Sequence, residues 1–101
     1  MFSINSEFFD NILNSVGFFD SKYPKTIPGL IGFLASKWIY IVPMFNDDTE
    51  SWQWFGFEIN NDNEKIGFSE DFTDYKSYDK VIEAAIMESY CYLLTIMEEN
   101  Y

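Results

Sequence analysis

Phe9, Ile12, Leu13 and Val16 recur at i, i+3, i+4 and i+7, the spacing of one helical face, within Asn5 to Gly17. Asn5 is expected to cap this first helix and Gly17 to end it. Residues 18–26 mix aromatics with Asp20, Ser21 and Pro24 and read as a packed connector. A proline in the first turn suits a second helix over Pro28 to Ser36, although Gly29 and Gly32 weaken it. The pattern then changes. Trp38 to Val42 is aromatic and β-branched and is bounded by Pro43 and Asn46-Asp47-Asp48, which signals a strand and a turn. Trp52 to Ile59 predicts a second strand, and Lys65 to Phe68 a short third one reached through the turn Asn60 to Asn63. Ser77 is placed to cap a last helix, with Asp79 in its first turn. Along that helix Tyr78, Ile82, Ala85, Ile86, Ser89, Leu93 and Ile96 share one face as a core stripe.

The order helix, helix, three strands, long helix predicts an α+β fold. A small antiparallel three-stranded sheet would carry the N-terminal helices and the long C-terminal helix on it, in two layers, as a single domain over residues 1–101. Alternation along the second strand separates Phe55, Phe57 and Ile59, with Gln53, from Trp52, Trp54, Gly56 and Glu58. The first set is expected to face the core together with Ile39 and Ile41. The opposite face would then carry an aromatic platform of Trp38, Tyr40, Trp52 and Trp54, covered by Phe18, Phe19 and Tyr23 or open to a partner.

Aromatics make up 21% of the chain, and a total of 48% hydrophobic residues is enough for burial to offset chain entropy despite the charge. Fourteen of the seventeen acids but only three of the six lysines follow residue 45, so that part carries the whole formal charge of −11. Such a field repels phosphates and anionic lipid and attracts basic protein surfaces. An aromatic sheet face can stack bases, but Lys65, Lys76 and Lys80 among fourteen acids are too few to neutralise a nucleic acid backbone, so no direct nucleic acid partner is expected.

The chain has no histidine and one cysteine, Cys91, which excludes an internal disulfide and a cysteine-based zinc site. A lone thiol without a basic neighbour lacks the means to become a nucleophile. Asp79 and Glu83 at i, i+4 spacing read as an exposed polar edge, not as a general acid and base. The run Asn60-Asn61-Asp62-Asn63-Glu64 lacks the spacing and glycine of an EF-hand loop. The expectation is therefore a non-enzyme without catalytic residues, metal or cofactor. The N-terminus has no basic region followed by an apolar run, and the most hydrophobic window, 27–45, is broken by Pro28, Lys37 and Pro43. The expected location is the cytoplasm, without a membrane partner.

The segments Trp38-Ile39-Tyr40-Ile41, Trp52-Gln53-Trp54-Phe55 and Tyr75-Lys76-Ser77-Tyr78-Asp79-Lys80-Val81-Ile82-Glu83-Ala84-Ala85-Ile86-Met87-Glu88-Ser89 resemble a group of short uncharacterised proteins of Bacteroidetes phages and prophages. The chain departs from that group in its apolar helix at Pro28 to Ser36 and its added N-terminal helix. The resemblance implies a mobile-element origin and a host-cell cytoplasm, and carries no activity.

Together these features suggest a small acidic interaction protein that binds and inhibits a host protein with a basic surface. A nucleic-acid-binding defence component would fit, with inhibition by charge mimicry in the manner of an anti-CRISPR protein. The residues expected at the contact are Asp47, Asp48, Glu50, Asp62, Glu64, Glu70 and Asp71, anchored by Trp52 and Trp54. Gathered at one end of the sheet, the carboxylates of the acidic turns would imitate a phosphate backbone and occupy a basic groove; as solvated loops they would have no such role. The competing function is a structural or assembly protein that forms a homodimer or larger homo-oligomer.

Overall fold

The structure, a computed structural model, describes residues 4–99, without the side chains of residues 70–72. Its elements follow the predicted order: α1 (Glu7–Ser15), a 3-10 turn (Phe18–Asp20), α2 (Ile27–Ser36), β1 (Ile39–Asn46), β2 (Ser51–Ile59), β3 (Lys65–Tyr75) and α3 (Tyr78–Glu99). The strands form one antiparallel sheet in the order β1-β2-β3. The fold is α+β, with the helices in one layer and the sheet in the other.

Local chemistry accounts for most boundaries. The cap of α1 is Ser6, not Asn5: its hydroxyl accepts from the Phe9 amide at 3.1 Å. Gly17 supplies the left-handed turn after the helix, with φ of 81°. Thr26 caps α2 through the Gly29 amide, with Pro28 in the first turn. Ser77 caps α3 by accepting from the Lys80 amide. Trp38 ends α2 in the left-handed region at φ of 63°, where glycine is the usual residue, and its carbonyl accepts from the Ile59 amide.

β2 gains only Ser51 over its predicted span, whereas β1 and β3 are extended further. β1 begins at Ile39 and runs through Pro43 to Asn46, because an edge strand can turn a position without N–H away from its neighbour. β3 continues past Phe68 to Tyr75 through two register shifts, so Glu70, Asp71 and Asp74 belong to a strand and not to a turn.

The core lies between the helices and one face of the sheet. Phe9, Ile12, Leu13, Leu30, Phe33, Leu34, Val81, Ile82, Ala85, Ile86, Tyr90 and Leu93 are buried together with Ile39 and Trp54. Tyr90 is the hub of this layer. Its hydroxyl donates to the Leu30 carbonyl at 2.7 Å, its ring stacks on Phe33, and Phe9 and Phe18 meet it edge-on. Burial at this hub pushes the Tyr90 phenol far above its ordinary pKa. Tyr78, expected in the core stripe of α3, is instead 46% exposed. Ser89 is fully buried as expected, and its hydroxyl has no hydrogen-bond partner among the described residues.

Candidate functional site

The orientation of β2 decides what the molecule presents to solvent. Asn46 pairs with Ser51, and the same register sets Ile41 opposite Gly56 and Ile39 opposite Glu58. Residues opposite one another across a strand pair share a face. With Ile39 and Ile41 turned to the helices, Trp52, Trp54, Gly56 and Glu58 follow them inward, while Phe55, Phe57 and Ile59 turn outward. This reverses the expected assignment of β2, while the assignment of Ile39 and Ile41 stands.

Bulk explains why the tryptophan face is the buried one. Trp54 is 1% exposed. Gly56 leaves room for its ring and for Phe68, since a Cβ there would lie 2.8 Å from Trp54 and 2.6 Å from Phe68. Phe68 in turn stacks on Tyr92 of α3 at 4.1 Å between centroids. The Tyr92 hydroxyl donates to the Glu58 carboxylate, closing the layer at that point. Burial, and then this bond to Glu58, pushes the Tyr92 phenol up to about 12.

The expected platform of Trp38, Tyr40, Trp52 and Trp54 therefore does not form. Trp54 is in the core, Trp52 is part-buried between Phe45 and Tyr78, Tyr40 is on the other face, and Trp38 stands out at the end of α2. Nor do Phe18 and Tyr23 cover a sheet face; both pack against Phe33 of α2.

The outer face carries Tyr40, Val42 and Met44 of β1 beside Gln53, Phe55, Phe57 and Ile59 of β2. Tyr40 stacks on Phe57 at 5.4 Å, and Phe57 on Phe55 at 5.9 Å. Lys65 extends over both phenylalanines, its Nζ 4.6 Å from the centroid of Phe57 and 5.1 Å from that of Phe55. Val42 and Met44 are exposed, and none of these outer-face side chains packs against the core. Among the described residues no helix covers this face.

The acidic residues frame that face without gathering at one end. Consecutive hairpins of a meander turn at opposite ends of their shared strand. Asp47, Asp48 and Glu50 are exposed at the β1-β2 tip, and Asp62 and Glu64 are exposed in the β2-β3 turn. The nine residues of β2 separate the two groups by about 27 Å. The topology places these two acidic groups at opposite ends of the sheet. At the tip end Asp74 is fixed by Ser51 at 3.0 Å and Gln53 at 2.8 Å, both donating to its carboxylate. Glu70 and Asp71 pair by backbone with Phe55 and Trp54; their side chains lie outside the described residues.

The remaining chemistry is sparse. The Asn60 side chain accepts from the Asp62 and Glu64 amides, so the turn uses its own oxygen to hold its shape. Among the described residues no group of three or more acids or cysteines is placed to hold a metal ion, and no helix is long and apolar enough to cross a membrane. Cys91 lines a groove of about 660 Å³ between the end of β3 and α3, with Tyr75, Ala84 and Met87. Burial and then Glu88 push its thiol up, the opposite of what a nucleophile needs. Met87 is buried against the core, and Cys91 and Leu94 pack against it, so these three side chains of α3 serve within the molecule.

Comparison with protein-family models, with curated proteins and with solved structures finds no match for this chain.

Proposed function

We propose that this protein acts by binding another protein that has a basic surface, without catalysis of its own, and that the outer face of its sheet is the contact. The observation that carries this reading is the aromatic stack Tyr40–Phe57–Phe55, flanked by exposed Val42 and Met44 and left uncovered by the helices. Soluble domains seldom leave such a patch open unless something binds it. The net charge of −11 selects a basic partner by attraction and speeds its approach.

The resemblance to phage proteins extends the proposal to a bacterial host as the source of the partner and to inhibition as the outcome, with a nucleic-acid-handling protein as the target class. Because the acids sit at both ends of the sheet, the proposed contact is an apolar centre with two acidic margins in place of a continuous imitation of a phosphate backbone. The test is capture from a bacterial lysate at rising salt, with the protein and its Phe57→Lys variant as parallel baits. A basic protein retained by the first bait only, and released by moderate salt, is the expected result. Identical captures by both baits would overturn the outer-face reading, and recovery of the bait alone with a doubled mass in solution would replace it with self-assembly.

A further inference from the structure

We propose that the occupant of the outer sheet face is an amphipathic helix of the partner, apolar along one stripe and carrying lysine or arginine near both ends. This rests on the reading of that face as the binding surface. The first argument is about backbone groups. An extended segment laid on a sheet face finds no strand edge to pair with, so its N–H and C=O groups would be buried without partners. A helix satisfies its own backbone and offers the sheet only side chains. The molecule already covers its opposite face in this way, with the 22-residue α3.

The second argument is charge. Exposed carboxylates stand at both ends of the face: Asp47, Asp48 and the fixed Asp74 at one, Asp62 and Glu64 at the other. A helix of about 18 residues rises about 27 Å and would reach from one group to the other. Cations near both of its ends would meet acids in either direction. A second copy of this chain, stacked sheet on sheet, would set acid against acid in either direction as well, and each copy carries −11. Charge therefore favours a basic helix over self-stacking.

The test is selection from a displayed library of random peptides of about 24 residues, with counter-screening against the Val42→Lys and Phe57→Lys variants, whose folding is checked by circular dichroism. Val42 is 39% exposed, so its variant keeps the screen informative should Phe57→Lys fail to fold. The expected result is enrichment of peptides with apolar residues at i, i+3, i+4 and i+7 and basic residues near both ends. Their binding should drop at least about tenfold on either variant. Face-dependent enrichment of alternating or acidic sequences would overturn the helix while leaving the face as a binding surface. No enrichment that depends on Val42 or Phe57 would overturn both.

Discussion

Gly56 and Phe68 are fitted to one another: a Cβ on Gly56 would come within 2.6 Å of the Phe68 ring, and within 2.8 Å of Trp54. Both rings are held from behind, Phe68 by its stack on Tyr92 and Trp54 by the core. Neither can move without opening the contact between sheet and α3. Gly56→Ala is therefore expected to destabilise the fold by about 1–3 kcal/mol, the usual range for overpacking, measured by urea unfolding. A neutral substitution would show that these rings have room to shift.

Trp54 and Phe57 test which face of β2 is buried. Trp54→Ala should cost about 3–5 kcal/mol, as truncation of a fully buried aromatic does. Phe57→Ala should cost roughly 1 kcal/mol, from lost stacking with Tyr40 and Phe55 and a lost contact with Lys65. Equal costs by denaturant titration would mean that the outer face is as covered as the inner one.

Ser89, in the middle of α3, carries a buried hydroxyl without a hydrogen-bond partner among the described residues. Removing such a group also removes its desolvation cost, and alanine is the better helix former. Ser89→Ala should raise stability by about 1 kcal/mol, seen as a higher Tm. A lower Tm would mean that the hydroxyl has a bonding partner.

Tyr92 links stability to alkaline pH. Its phenol is neutral in the fold up to about 12, above its ordinary value, because burial and the bond to Glu58 both disfavour the phenolate. The stability it contributes is fully present below pH 10 and is lost as pH rises from there through about 12. Tyr90, raised in the same direction by burial, adds to the loss. Thermal melts of the protein should fall through that window, and Tyr92→Phe should fall less steeply while starting from a lower Tm at neutral pH. Parallel curves for the two would rule out this linkage.

The order and kind of elements were legible because helical periodicity, Ser77, Pro28 and Gly17 are local signals that tertiary structure had no reason to override. The face of β2 was not. Both faces of Trp52 to Ile59 are aromatic, so hydrophobicity alone cannot choose between them. The deciding signal is the even number of residues between Asn46 and Ser51, which fixes the parity of the pairing once Ile39 and Ile41 are taken as core. Gly56 between large rings was a second clue, because a glycine in a strand marks a close approach. Asp47, Asp48, Glu50, Asp62 and Glu64 were legible as exposed turns at the two hairpins. Their separation follows from the meander, in which successive hairpins turn at opposite ends. The length of β3 was hidden by Ser69-Glu70-Asp71, polar residues that read as a loop and are accommodated in an edge strand.

The outer sheet face as the place of binding is tested most directly by titrating the captured partner into the protein and into a Val42→Lys/Phe57→Lys double variant by calorimetry. Both proteins are first shown to share one circular dichroism spectrum. The expected result is a loss of affinity of about a hundredfold or more, as for removal of a central interface anchor. An affinity unchanged within about twofold, in a variant that remains folded, would contradict binding at this face.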